Sequence, residues 1–454
     1  MNGRGLRHVR WLYFGLGIKR WLIVAFVGIV LTVNGLSRWL TSQGIVIPIN
    51  EHLDAAVDDF FSPIWLAPLF FFGGCLLTIV GLRRWIQAIV EAIVPTGRES
   101  VIDALLERRR RNEYKIVAIG GGTGLSSLLR GLKRSTNRIT AVVTVSDDGG
   151  SSGRLRNELG VLPPGDIRNC LVALADDEAL VTSLFQHRFS EGEGLVGHSF
   201  GNLFLAAMTA VTGNFDEAVR ESSRVLNIIG RVLPATLSRV TLGAYLVDGR
   251  RIEGETTISH ATSRIDRLFL EPSDVRPLPE VVEAIRDADA IVLGPGSLYT
   301  SILPNLLVKE IVEAIIASDA LKIYICNVMT QPGETEGFTA SDHVAALQRA
   351  TSRQICDVVV VNDQPPTRLL ERYAQEHQEP VTVDAAALAA LGVRVKTASV
   401  VSETAIVRHD SDRVAAVVIG LIEERIRARA AYLRTVHGPS MPVKNNSEDH
   451  DDSR

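Results

Sequence analysis

From Lys115 onward the chain alternates short, continuous apolar runs with stretches of helical periodicity. Lys115-Ile-Val-Ala-Ile119, Ile139-Thr-Ala-Val-Val-Thr-Val145, Ala290-Ile-Val-Leu293, Lys322-Ile-Tyr-Ile-Cys326 and Asp357-Val-Val-Val-Val361 read as strands apolar on both faces. Runs of that kind, separated by helices, predict an α/β fold with a mostly parallel sheet. A helix is expected over Leu125 to Lys133, further helices over 195 to 235, and a β-rich insertion over 240 to 275 around Asp248-Gly249.

The first hundred residues follow another pattern. Trp21 to Leu36 and Ile64 to Leu82 are nearly all apolar, each close to the ~20 residues that span a bilayer. Trp11, Tyr13, Trp21, Trp39, Trp65 and Trp85 lie at or near their ends, as interfacial aromatics do. Two transmembrane helices are expected. Arg4, Arg7, Arg10, Lys19 and Arg20 precede the first, and Arg83, Arg84, Arg98 and Arg108 to Arg111 follow the second. Residues 41 to 62 between them hold no Lys or Arg but do hold Glu51, Asp54, Asp58 and Asp59. The positive-inside rule then puts the N-terminus and the globular part in the cytoplasm, hung from the inner face of the cell membrane. The organisation expected is a basic N-terminus (1–20), a transmembrane hairpin (21–82), a charged linker (83–114), a globular domain (115–436) and a disordered acidic tail (437–454).

A length of 454 residues permits a sizeable core. A net charge of −4 gives no global drive toward nucleic acid. The four cysteines are scattered, without C-x-x-C or metal-ligand spacing, which fits a reduced setting for the soluble part.

Candidate chemistry sits where the strands end. Gly120, Gly121, Gly122, Thr123 and Gly124 stand between the first strand and its helix, where backbone N–H groups and the helix N-terminus can receive a phosphate. The spacing gives neither G-x-G-x-x-G nor the Lys-Ser/Thr pair of a P-loop. The order strand, glycines, helix, strand, acid is nevertheless Rossmann-like. Asp147 and Asp148, after the second strand, suit a ribose hydroxyl, a divalent cation such as Mg²⁺ or a helix cap, and sequence does not separate these. Gly150, Ser151, Ser152, Gly153 and Arg154 could converge on an anion. Pro163-Pro164-Gly165 makes a rigid turn that aims Asp166, Arg168 and Asn169, either at a ligand or into an Asp166–Arg168 brace. His198 and Asn202 lie at an expected helix start, with no nucleophile beside His198 in sequence and hence no catalytic triad. Gly294, Gly296, Ser297 and Tyr299 repeat the strand-end, small-residue logic of the first turn. Asn327 and Thr330 follow another strand.

The stretches IGGGTGLSSLLRGLK, VTVSDDGGSSGRL, PPGDIRN, FQHRF, GHSFGNL, LGPGSLYTSILPNLL and ICNVMTQPGETEGFTASDH resemble the YvcK family of gluconeogenesis factors (UPF0052). That family is similar in turn to CofD, the 2-phospho-lactate transferase of deazaflavin coenzyme synthesis. The resemblance spans roughly Lys115 to Val407 and implies a UDP-sugar ligand, UDP-N-acetylglucosamine favoured, with a part in cell shape and envelope synthesis during gluconeogenic growth. It also implies that Asn327, Thr330 and Glu334 close the site from a neighbouring strand. Envelope-synthesis enzymes are the implied partners, and a homo-oligomer is left open. The CofD side implies instead Mg²⁺-dependent transfer of a phospholactyl-type group from a nucleotide diphosphate adduct, with the cation on Asp147 or Asp148.

Overall fold

The computed structural model describes residues 18–43, 66–93, 114–176, 178–403 and 406–437. Residues 1–17 of the basic N-terminus, the acidic residues of the loop between the apolar segments, Arg108 to Arg111 and the tail beyond His437 lie outside them. The chain divides into two compact units, Met1–Leu106 and Glu107–Arg454.

Within the first unit the helices Ile18–Ser42 and Leu66–Ile93 pack side by side. Both run past the apolar stretches that announce them, because a helix ends where its backbone bonds end and not where hydropathy falls. Small residues let the backbones touch. A Cβ on Gly28 would lie 2.5 Å from the Thr78 nitrogen, and one on Gly81 would lie 2.6 Å from that of Ala25. Close backbone approach at small residues is how apolar helices associate without a hydrophobic drive between them. The outward side chains, Phe26, Val30, Val33, Phe72, Leu76 and Ile79 among them, are exposed and apolar. Two spans of 21 residues, Arg20–Leu40 and Ala67–Gln87, are long and apolar enough to cross a membrane.

The second unit is organised by a seven-stranded sheet. Its strands are β1 (Ile116–Gly120), β2 (Ile139–Val143), β3 (Arg231–Pro234), β7 (Ala290–Leu293), β8 (Leu321–Ile325), β9 (Val358–Asn362) and β10 (Arg394–Ala398). Their order is β10-β9-β8-β7-β1-β2-β3, and every neighbouring pair is parallel. The expected α/β architecture is therefore present. The central strands are fully buried because helices cover both faces, and this is why they read as unbroken apolar runs. The chain leaves β1 toward β2 on one side and reaches β7 on the other. The crevice between β1 and β7 is thus the topological switch point, where the turns part and leave room for a ligand.

Two additions bear on that crevice. A three-stranded antiparallel sheet of β4 (Thr241–Leu246), β5 (Arg251–Glu253) and β6 (Ile265–Glu271) forms the expected insertion, ordered β5-β4-β6 and carrying the helix Glu255–Ser259. A short hairpin of β11 (Val401–Glu403) and β12 (Val407–His409) precedes the long helix Ser411–His437. The region expected to be helical over 195–235 is corrected. Helices occupy Phe200–Thr212 and Phe215–Val225, and β3 takes its end because Val232 and Leu233 complete the sheet beside β2.

Candidate functional site

A cleft of about 560 Å³ opens at the carboxyl ends of β1 and β7. Gly121, Gly122, Thr123 and Gly124 form one wall, and Pro295, Gly296 and Ser297 face them across the switch point. Glycine is needed here for closeness. A Cβ on Gly124 would run into the Pro295 carbonyl and stand 3.0 Å from the Gly296 Cα, and both are backbone atoms with no rotamer to yield. Gly122 has φ +65°, a conformation that costs a side-chain-bearing residue about 1 kcal/mol or more. Gly124→Ala is expected to destabilise the unit by about 1–3 kcal/mol, since the two turns must part. A thermal melt checks this, and an unchanged midpoint would contradict the packing argument.

Carboxylates line the same cleft. Asp166 is pushed up to about 6, chiefly by burial and then by Asp147, although the Gly122 N–H donates to it. Glu255 is pushed up to about 7 by burial and by Asp147, Asp148, Asp166 and Glu334. Burial also raises Glu334, which accepts from Thr300 Oγ1 (3.1 Å) and the Tyr299 N–H (3.3 Å). The cleft is thus an acidic pocket walled by glycine turns. Arg408, on the β12 hairpin, is the one Arg or Lys among its described lining residues. Beside it the half-buried His409 is pushed down to about 4 by desolvation and donates Nε2–H to the Cys326 carbonyl at 3.1 Å.

Of the residues singled out in sequence, Gly121, Gly122, Thr123, Gly124, Asp147, Asp166, Gly296, Ser297, Asn327 and Thr330 line this cleft. Gly120 ends β1 and Gly294 follows β7 behind it. Tyr299 sits buried in the turn of π-helix Leu298–Ile302. Asn327 donates to Gln331, whose amide donates in turn to Ser297 Oγ at 2.8 Å, so the turn after β8 braces the turn after β7.

A second group gathers beside the cleft. Ser151 Oγ lies 2.9 Å from His198 Nδ1 and accepts from Asn202 Nδ2 at 3.1 Å, which leaves its own hydrogen for the histidine. Arg168 donates to Ser199 Oγ (2.6 Å), Asn202 Oδ1 (2.7 Å) and Asn169 Oδ1 (2.8 Å). Ser152 Oγ accepts from the Gly165 N–H. His198 is held below its usual range by burial and by Arg154. Arg154 itself donates to the Val196 carbonyl. Gly150 and Gly153 belong to the helix Gly150–Leu159 that carries these serines.

The two aspartates after β2 part company. Asp147 faces the cleft, with Oδ1 accepting from the Gly149 N–H. Asp148 turns away and accepts from both the N–H (2.9 Å) and Oγ1 (2.7 Å) of Thr256. It thereby anchors the helix Glu255–Ser259. That helix brings Glu255 and Ser259 to the cleft from a sheet more than a hundred residues downstream, so no local spacing could announce them. Tyr373, Arg408 and His409 arrive from the opposite end of the sheet in the same way.

A divalent cation fits part of this donor set. Hard cations take carboxylate oxygens, and such an ion would relieve the elevation that Asp147 adds to burial at both Asp166 and Glu255. Among the described residues, however, no three acidic, His or Cys side chains are grouped to hold an ion by themselves. An Mg²⁺ here would rest on one or two carboxylates, Asp147 and Asp166 foremost, and on ligand phosphates.

Comparison with known proteins places this cleft in a family. Residues 116–401 match the family described as 2-phospho-L-lactate transferase CofD. The chain is 50% identical over 417 residues to a putative gluconeogenesis factor of Nostoc sp., covering 90% of this chain and 91% of that one. It is 54% identical over 312 residues to the gluconeogenesis factor of Bacillus subtilis, covering 68% of this chain and 98% of that one. The solved structure of a UPF0052 member from Bacillus halodurans superposes with a TM-score of 0.66 at 52% identity, covering 67% of this chain and 99% of that one. The Nostoc match is longer than the second unit and so reaches into the first, whereas the Bacillus matches are shorter than the second unit. The chain belongs to the CofD/YvcK family, among the gluconeogenesis factors.

Proposed function

We propose that the cleft binds a UDP-sugar, UDP-N-acetylglucosamine the favoured case, and that its occupancy supports cell shape and envelope synthesis during gluconeogenic growth. The carrying observation is the pair of glycine turns facing each other at the β1/β7 switch point, where backbone N–H groups can take a diphosphate. Arg408 supplies a cation for it, and Asp147, Asp166 and Glu255 suit ribose or sugar hydroxyls, or a cation bridging to the phosphates. In this reading the protein senses, with ligand-bound and ligand-free states differing in affinity for an envelope enzyme. The two apolar helices span the cell membrane with both ends cytoplasmic, which keeps the sensor at the face where envelope precursors are assembled.

The acidic lining favours one alternative, a CofD-like transferase moving a phospholactyl-type group with Mg²⁺ on Asp147 and Asp166. Calorimetry with UDP-N-acetylglucosamine, UDP and GDP, each with and without Mg²⁺, separates the two. Binding of the UDP-sugar without product on long incubation is the expected result. GDP binding that requires Mg²⁺ would favour the transferase. Arg408→Ala should weaken UDP-sugar binding at least about tenfold, as loss of one charge-assisted contact does, with the melting midpoint unchanged. Full affinity in that variant would remove Arg408 from the reading.

A further inference from the structure

The long helix Ser411–His437 outruns the core it packs on. Its buried side chains end at Leu421 and Ile422, and beyond them every described side chain is exposed except the half-buried Arg425. From Glu423 to Tyr432 alone this is about 15 Å of helix, at 1.5 Å per residue. A helix in a protein draws most of its stability from packing an apolar face, and no described part of the unit covers this end. Residues 425–437 hold four arginines and no Asp or Glu. Ile426 is 47% exposed and Tyr432 68%. Ile426 and Ala430, four apart, share a face, with Arg425, Arg429 and Tyr432 along one side of it and Arg427 along the other. Arg427 reaches back to Glu423 at 3.7 Å, whereas Arg429 has no ion pair among the described residues. An apolar strip edged by arginines, with a tyrosine at its border, is the pattern of a helix that lies in a lipid headgroup layer.

The place from which this helix projects narrows the occupant. Arg425 donates to the Asp319 carbonyl and lies 3.8 Å from Asp357, and those residues precede β8 and β9. The helix thus leaves the sheet at the amino ends of its strands, where the polypeptide also enters β1 from the linker. Lys115, Arg138 and Arg231 stand at that end beside β1, β2 and β3, and Asp287 there is already paired with Lys115. The cleft opens at the opposite end. Residues 94–113 separate Ile93 from Tyr114, a reach of at most about 70 Å. With the two apolar helices across the membrane, as proposed above, a lipid surface is never far from this end of the sheet. We infer that the end of helix Ser411–His437 lies on anionic lipid, with Ile426 and Tyr432 in the headgroup layer and the arginines on the phosphates. Only the nearness of the membrane rests on the proposed reading of the spans; the pattern on the helix does not.

The unit Glu107–Arg454 is suitable material, because it is compact by itself and the solved Bacillus relative is shorter still. It should float with vesicles of phosphatidylcholine and phosphatidylglycerol, stay behind with phosphatidylcholine alone, and be released as salt is raised. Arg427→Glu combined with Arg429→Glu should weaken vesicle binding at least about tenfold. The far-ultraviolet melt should not change, since neither side chain supports the core. Arg108→Glu with Arg109→Glu, in the linker, should retain the binding. Residues 107–454 contain no tryptophan, so Tyr432→Trp reports on this helix alone, and its emission should move to shorter wavelength with the anionic vesicles. Four results would each overturn the assignment: no flotation with anionic vesicles, equal binding to both vesicle types, full binding in the helix variant, or an unmoved emission in Tyr432→Trp. Alkaline extraction of the full chain from membranes reads the two spans separately, so a failure of the tether and a failure of the helix are told apart.

Discussion

Asp166→Asn is expected to stabilise the second unit at neutral pH and to remove a pH dependence that the native protein shows. The folded-state value near 6 stands above the ordinary 3.8, raised by burial and by Asp147. The folded chain therefore keeps the proton that the unfolded chain releases, and stability falls as pH rises from about 4 to about 6. Above that window the loss is complete, at about 3 kcal/mol for a difference of roughly two units. Asparagine keeps an oxygen to accept from the Gly122 N–H and never ionises. The variant should match the native protein near pH 4 and exceed it by about 2–3 kcal/mol above pH 7 in urea titrations. A variant no more stable than the native protein at pH 7.5 would mean that the cleft already compensates this charge. Glu255, raised to about 7 for the same reasons, should titrate lower once Asp166 is neutral. Holding such acids together costs stability, which is the usual mark of groups kept for a ligand.

Strand runs, glycine turns and their order were legible because they depend on local periodicity and on backbone demands at strand ends. The five apolar runs read as strands appear as β1, β2, β7, β8 and β9, shifted by a residue or two. Strand β3 was absorbed into a helical reading, and β10, with its exposed and half-exposed residues, carries no apolar run to betray it. The cleft was legible along its glycine walls and at the strand-end residues Asp147, Asp166, Ser297, Asn327 and Thr330, which follow local turn signals. Glu255, Arg408 and Tyr373 are brought in by the insertion and by the far edge of the sheet, and nothing in their own neighbourhoods distinguishes them from surface residues. Ser151 and His198 stand 47 positions apart in sequence, and only the packing of helix Phe200–Thr212 against helix Gly150–Leu159 makes them partners.

The Asp166–Arg168 pair shows why spacing alone left two readings open. Residues two apart in a helix face away from each other, and both belong to the helix Gly165–Leu174. Asp166 consequently looks into the cleft while Arg168 reaches the start of helix Phe200–Thr212. There it is nearly buried and donates to three side chains, and burial lowers its pKa. The close fit extends to Gly201, where a Cβ would stand 2.7 Å from Arg168 Cδ. Arg168→Ala is expected to cost about 3–5 kcal/mol, because Ser199, Asn202 and Asn169 lose a charged donor in a place water reaches poorly. Arg168→Lys should recover little of it, since an ammonium lacks the planar fork that serves separate acceptors together. The loss should propagate to Ser151, whose partner Asn202 is oriented by Arg168. The imidazole resonances of His198 should therefore shift in Arg168→Lys under conditions where that variant stays folded. A cost below about 1 kcal/mol with unmoved His198 resonances would show that the serines and His198 hold their places without the guanidinium, and that the cluster is two independent contacts instead of one network.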